Sequence, residues 1–328
     1  MSNWVVRCGL GLALGLAVLA PAAAALAQSE PLIPVKATII APGSNYSQLA
    51  IAKDEGIFAK HGLDVEFVTV DTANSGIASA VSGATQFTFT GPNLVDAVVA
   101  GIPIVAVFAI DNVSIAQVCT KTEVNSARDL VGKIVGVPNR GSAPDVTFRI
   151  WLRDQGLDDT QVTIRNINTG TPGVMAAAAA GQIDAFALNP PRCYMNGSAG
   201  FKVLAELGSS GMPYFNAGIA VSKDYLTNNR ETVKKFVAAL EEARQLFKDN
   251  KEIAFRAISG QDKITDTAIL EQVWAFYNQY WANPGTVSAD ALMRAVQESS
   301  AEATRQGGEA LVSSMYDNSV VEDVIAGN

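Results

Sequence analysis

One pattern in this chain returns 98 residues later. The run Ala78-Ser79-Ala80-Val81-Ser82-Gly83, then Gln86-Phe87-Thr88-Phe89, then Gly91-Pro92-Asn93 is answered by Ala176-Ala177-Ala178-Ala179-Ala180-Gly181, then Asp184-Ala185-Phe186-Ala187, then Asn189-Pro190-Pro191. Gly83 and Gly181 are 98 positions apart, and so are Pro92 and Pro190. The openings match as well. Val35-Lys36-Ala37-Thr38-Ile39-Ile40 leads into Pro42-Gly43-Ser44-Asn45, and Lys133-Ile134-Val135-Gly136-Val137 leads into Pro138-Asn139-Arg140-Gly141-Ser142. Each copy reads strand, polar turn, helix, strand, helix, Gly, strand, polar turn, helix. Alternation of this kind dictates an α/β fold with mostly parallel sheets. Four matched turns in the same order favour duplication over chance. Ligands of such sheets lie beyond the carboxyl ends of the strands, so two facing lobes place four polar turns around one cleft.

The first 27 residues stand outside this pattern. Arg7 supplies a positive start, Gly9 to Ala20 carries no charge, and Ala25-Leu26-Ala27 has the small-x-small form of a signal peptidase site. Cleavage after Ala27 is expected, giving an exported chain of residues 28–328. A signal anchor is the alternative. Cys8 precedes the apolar stretch, the wrong place for a lipid-anchored cysteine. The whole chain carries a net charge of −8, and loss of Arg7 takes it to −9. An acidic surface argues against nucleic acid and anionic membranes as partners. Beyond the leader, Ile102 to Ile110 is long enough only for one buried strand. Cys119 and Cys193 remain, free to pair under oxidising conditions or to stay as buried thiols. With His61 as the one histidine, in a turn Lys60-His61-Gly62 read as solvated, neither a histidine triad nor a structural zinc site is easily built. No cofactor, metal or catalytic residue is expected.

The last third reads as helices. Val233, Phe236, Val237, Leu240, Leu246 and Phe247 mark one apolar face after Asn228-Asn229; Ile269, Val273, Phe276, Tyr277, Tyr280 and Trp281 mark another, ended by Asn283-Pro284. A third helix is expected from Ser288 to Gly307.

Three further stretches carry a family resemblance. Ala52-Lys53-Asp54-Glu55-Gly56-Ile57-Phe58-Ala59-Lys60-His61-Gly62-Leu63-Asp64-Val65, then Asp129-Leu130-Val131-Gly132-Lys133-Ile134-Val135-Gly136-Val137, then Gly181-Gln182-Ile183-Asp184-Ala185 resemble solute-binding proteins of ABC importers. The branch is the nitrate/sulfonate/taurine type, which includes thiamine-precursor binders. The resemblance implies a two-lobed periplasmic binding protein fold of type II. It also implies two crossing strands, a small ligand held between the lobes, a permease partner in the inner membrane, and a periplasmic monomer. One lobe is then expected from 31–112 plus 216–328 and the other from 113–215, with crossings near Asp111 and Tyr214. Gln86 stands where the family often has Asp; it starts a strand away from the ligand, so little effect is expected. Fungal pyrimidine synthases share the fold but depend on a cysteine-rich iron motif and histidines that this chain lacks. Related menaquinone-pathway dehydratases are cytoplasmic, at odds with the leader.

The four turns name the candidate ligand residues. Arg140, in Asn139-Arg140-Gly141-Ser142, presents a planar fork of donors suited to carboxylate or sulfonate. It lies at a helix start, where free N–H groups favour an anion. Ser142 is placed to cap that helix. The other turns give Ser44, Asn45 and Tyr46; Thr90, Gly91 and Asn93; and Asn189 and Arg192. Each Ser or Asn also suits a turn or a cap, and Arg192 also suits a helix surface. Tyr214, Phe215 and Asn216 fall at the return crossing, where aromatics stack on a flat ligand or pack a hinge. Asp111-Asn112 lies near the first crossing, and an acid facing the cleft there favours a cationic amine. The expected function is capture of a small organic acid or sulfonate-type anion for an importer. An exported enzyme or sensor subunit on the same fold, or a pyrimidine binder, is the alternative.

Overall fold

The computed structural model describes residues 1, 31–40, 43–299 and 308–327. The expected cleavage site at Ala27, with Arg7 and Cys8, lies outside the described residues. Residues Leu32–Asn328 form one unit, built as two lobes.

The chain begins with β1 (Ile33–Ile39), α1 (Ser47–Asp54), α2 (Ile57–Lys60), β2 (Leu63–Thr69), α3 (Ala73–Val81), β3 (Phe87–Thr90), α4 (Asn93–Val99) and the long β4 (Ile104–Val113). It continues with β5 (Gln117–Lys121), β6 (Ile134–Val137), α5 (Ala143–Asp154), β7 (Thr163–Asn166), α6 (Gly170–Ala179), β8 (Ala185–Leu188), α7 (Arg192–Met195) and β9 (Phe201–Glu206). The return strand is β10 (Pro213–Ser222). After it come α8 (Lys223–Asn228), α9 (Arg230–Asp249), α10 (Lys251–Asp262), α11 (Thr267–Tyr280), α12 (Ala289–Gln297) and short helices at Gly308–Ser313 and Ser319–Ala326. The expected third helix thus ends at Gln297, and residues 300–307 lie outside the described residues.

The repeat appears as matching sheets. One has the order β2-β1-β3-β10-β4, the other β7-β6-β8-β5-β9. In each, a parallel trio is followed by one antiparallel strand and then a fifth strand. Four strands of five therefore point one way, and the carboxyl ends of the trio share an edge where the turns project. The antiparallel members, β10 and β5, each follow a passage between the sheets. The 112/113 and 215/216 boundaries fall inside β4 and β10, both of which belong wholly to the first sheet.

The repeat also fixes local detail. Gly83 and Gly181 both adopt positive φ, at 80° and 67°, where a helix turns into a strand and an L side chain is strained. Gln86 Oε1 accepts the Lys36 N–H at 2.8 Å, and Asp184 Oδ2 accepts the Ile134 N–H at 2.8 Å. Gln86 thus does the work of its counterpart Asp184, a residue before the strand.

The apolar faces read from sequence pack into the core, with Leu246 and Ile269 only partly buried. Phe236 of α9 stacks on Phe87 of β3 at 3.8 Å between ring centroids, and Tyr277 and Trp281 pack in the same core. His61 departs from the solvated-turn reading: it is half-buried and its Nε2 lies 2.9 Å from Glu242 Oε2. Among the described residues no helix is long and apolar enough to cross a membrane. Cys119 on β5 and Cys193 on α7 form a disulfide, with Cα atoms 5.6 Å apart.

Candidate functional site

Two cavities open between the lobes. The first, of about 480 Å³, receives Ile40, Asn45, Tyr46 and Phe89 from the first lobe. From the second it receives Pro138, Pro144, the segment Thr171-Pro172, Met175, the stretch from Leu188 to Pro190, and Arg192. Tyr46 and Phe89 form an aromatic wall, their ring centroids 4.4 Å apart, and the Tyr46 oxygen accepts the Ile40 N–H at 3.1 Å. Opposite them stand prolines and Met175, a thioether that adapts to irregular shapes.

Arg192, the first residue of α7, is the one charged side chain among the described residues of this lining. Its Nη2 donates to Asp262 Oδ1 at 2.5 Å across the lobes. Asp262, at the end of α10, has its side chain fully buried. Its Oδ2 accepts the Ser44 N–H at 2.7 Å and also the Ser44 hydroxyl. Beside this strap, the Tyr277 hydroxyl donates to the Pro190 carbonyl at 3.0 Å.

The second cavity, of about 540 Å³, lies at another part of the interlobe surface. Asn74, Asn93, Asp96, Tyr214 and Glu298 face it from the first lobe; Arg140, Gly141, Asp145, Arg149 and Asp159 face it from the second. Its charges are mostly paired. Arg149 bonds Asp145 at 2.9 Å and also Asp159, and Arg153 reaches Glu298 across the lobes at 2.6 Å. Arg140 has no ion-pair partner among the described residues. Burial, together with the Glu298, Asp145 and Asp96 carboxylates, pushes the Tyr214 hydroxyl well above the usual phenol range.

The candidate ligand residues therefore separate. Asn45, Tyr46, Asn189 and Arg192 share the first cavity. Asn93, Arg140, Gly141 and Tyr214 share the second. The four turns, expected around one cleft, divide between the two cavities: Arg140 lines the second together with Tyr214, whereas Tyr46 lines the first. Gly141, at φ 77°, gives its N–H to Asp145 Oδ2 at 2.8 Å, so that donor is taken. Ser142 precedes α5 but makes no side-chain cap; its buried Oγ has no partner among the described residues. Asn139 is exposed, and its carbonyl closes the turn by accepting the Ser142 N–H. Ser44 is fully buried on Asp262, so its hydroxyl is not free for a ligand. Phe215 is fully buried, in a core cluster that also takes in Ala143 and Ile150 of α5, and lines neither cavity. Gly91 lies where a Cβ would come within 2.6 Å of the Asn216 carbonyl. Thr90 and Asn216 are buried beside it on β3 and β10, and Thr90 Oγ1 and Asn216 Oδ1 have no partner among the described residues. Asn189 Oδ1 is likewise buried and unpartnered.

Phe89, Thr171, Met175 and Asp262 were not among the candidates. The repeat carried a signal for one of them, since Thr171 follows a strand as the segment near Thr72 does in the first copy. Asp262 lies 218 residues from the Ser44 it binds, and nothing in a linear reading joins them.

The two matched sheets and the cleft between them define a two-lobed periplasmic binding protein fold. The NMT1/THI5-like profile matches residues 44–254, and the chain belongs to that family. It is 29% identical over 229 residues to a binding protein of Brucella abortus (strain 2308), a match covering 67% of this chain and 69% of that one. It is 27% identical over 237 residues to the riboflavin-binding protein RibY of Chloroflexus aurantiacus, covering 67% and 64%. Among solved structures, the periplasmic nitrate-binding protein NrtA of Synechocystis PCC 6803 superposes with a TM-score of 0.72 at 15% identity, covering 90% and 89%.

Proposed function

We propose that this chain is the solute-binding component of an ABC importer, exported to the periplasm. It takes up a small organic molecule between its lobes and delivers it to a membrane permease, as a monomer and without chemistry on the ligand. The observation that carries this reading is the first cavity: about 480 Å³, lined from both lobes by the turns that the repeat places at the strand ends. A molecule bound there touches both walls only when the lobes are together. Its affinity is then higher for the closed form, and that difference alone shifts the population. Tyr46, Phe89, Met175 and the prolines favour a ring or hydrocarbon body, and Asn45, Asn189 and Arg192 supply polar contacts.

A second reading keeps the ligand an organic acid or sulfonate and places it in the second cavity. The observation behind it is Arg140, a guanidinium without an ion-pair partner among the described residues, beside the start of α5.

The test is a thermal-shift screen of organic acids, sulfonates, nitrate, pyrimidines and uncharged ring compounds, followed by small-angle scattering with each hit. A ligand that binds only the folded state raises Tm, and the radius of gyration should fall or stay at the closed value. No stabilisation by any class overturns the solute-binding reading. Permease and ATPase genes beside this one would support delivery to an importer over a sensor or enzyme role.

A further inference from the structure

The first cavity contains a cation that is already answered. Among the described residues Arg192 is the only charged one in its lining, and the fully buried Asp262 holds it at 2.5 Å. Asp262 has no freedom to turn away, because its second oxygen is fixed by the Ser44 N–H and hydroxyl. An anionic ligand at Arg192 would therefore sit beside a carboxylate in a desolvated site, where like charges repel strongly. A neutral acceptor meets no such repulsion. Arg192 still has donors for it, since a guanidinium carries five N–H groups and only Nη2 is given to Asp262. Its Nη1 lies 3.8 Å from the Met195 sulfur. On the same wall, Asn189 Oδ1 is buried and has no hydrogen-bond partner among the described residues, so it calls for a donor from whatever fills the cavity.

We infer that Asp262 is a specificity-determining residue: by neutralising Arg192 it makes this cavity select uncharged polar solutes over anions of the same shape. The selected solute accepts a hydrogen bond from Arg192 and donates one to Asn189. This rests on the solute-binding reading of the first cavity.

Benzamide, benzoate and benzamidinium have nearly one shape and differ in charge, which makes them direct probes. Calorimetry or ligand-observed NMR on the full folded chain should rank benzamide above both ions. In Asp262→Asn the benzoate-to-benzamide affinity ratio should rise at least tenfold, because Arg192 is uncovered. In Arg192→Gln the benzamidinium-to-benzamide ratio should rise by a similar factor, because Asp262 is uncovered. Circular dichroism establishes that each variant is folded; should Asp262→Asn not fold, Arg192→Gln carries the test alone. Benzoate binding as tight as benzamide in the wild type overturns the inference, as does a ratio unmoved in the folded variants. The wider screen separates the two readings. Hits dominated by anions whose binding depends on Arg192 sink this inference and leave the solute-binding reading standing, whereas no hit of any charge sinks both.

Discussion

Asn216 on β10 donates its side-chain amide to Asp111 Oδ2 on β4 at 3.1 Å, tying together the two long strands at the crossing. Ala217 pairs with Asp111 there, and the ladder shifts register on either side. Asp111 is fully buried and its Oδ1 has no partner among the described residues. Burial pushes its carboxyl up to about 8, with the Asn216 hydrogen bond opposing part of the rise. Sequence placed Asp111 near the first crossing; it lies buried there, its carboxyl pushed toward the neutral form.

A pH dependence follows from that position. The folded carboxyl holds its proton to about pH 8, whereas in an unfolded chain it loses it near pH 4. Between these values the folded state binds more protons. The stability Asp111 contributes is complete below about pH 4 and is lost as pH rises through about 8, at up to roughly 1.4 kcal/mol per pH unit. Asp111→Asn removes this slope while keeping an acceptor for Asn216. Calorimetric Tm values across pH 5 to 9 should show the variant gaining on the wild type as pH rises. Parallel curves would refute a buried, protonated Asp111.

The disulfide is the next target. Sequence left Cys119 and Cys193 open between bridge and free thiols, because pairing depends on strand β5 lying beside α7, a tertiary fact. Closing 74 residues constrains the unfolded chain, and loss of such a bridge costs typically about 2–4 kcal/mol. Urea denaturation of the Cys119→Ala, Cys193→Ala double variant should show a loss in that range. Thiol titration of the denatured, unreduced chain lacking residues 1–27 should find none reactive; two would contradict the bridge.

Gln86 and Asp184 test the duplication at the level of single hydrogen bonds. Each side chain accepts a strand N–H, from Lys36 and Ile134 respectively. The Lys36 bond is exposed and neutral; the Ile134 bond is partly buried and charge-assisted. Gln86→Ala should cost about 0.5–1.5 kcal/mol and Asp184→Ala about 1.5–3 kcal/mol. The double variant should lose nearly the sum, since the sites lie in different lobes. Chemical denaturation reads all three, and a costlier Gln86→Ala would reverse the argument.

The repeat made the sheets, the turns and the strand ends legible, because alternation and turn residues are local signals that a duplicated chain shows twice. The composition of the cavities was not legible. Arg140 and Arg192 both follow strand ends, and sequence ranked Arg140 first for its placement at a helix start. Which side of the cleft each faces depends on how α5 and α7 leave their strands. Phe89 read only as strand, yet its alternate position puts it against Tyr46. Asp262 acts on a turn from the far end of α10, so its contribution exists only after the last helices have packed on the first lobe.

Arg140 decides between the two cavities. It is exposed and has no ion-pair partner among the described residues, so its removal should shift stability by no more than about 0.5 kcal/mol. It lines the second cavity and not the first. A solute held by Tyr46, Phe89, Asn189 and Arg192 should therefore bind Arg140→Ala within about twofold of the wild type. Tyr46→Ala should weaken the same solute tenfold or more, through loss of ring contact worth about 1.5 kcal/mol or more. An acid seated in the second cavity reverses the pattern. A charge-assisted contact worth about 1.5–3 kcal/mol disappears with Arg140, binding falls tenfold to a hundredfold, and Arg140→Lys recovers only part because a point charge does not replace a bidentate fork. Calorimetry on the three variants with the best hit of the screen reads the outcome directly. Tight binding that survives Tyr46→Ala and fails in Arg140→Ala would move the ligand to the second cavity and overturn the first as the solute site.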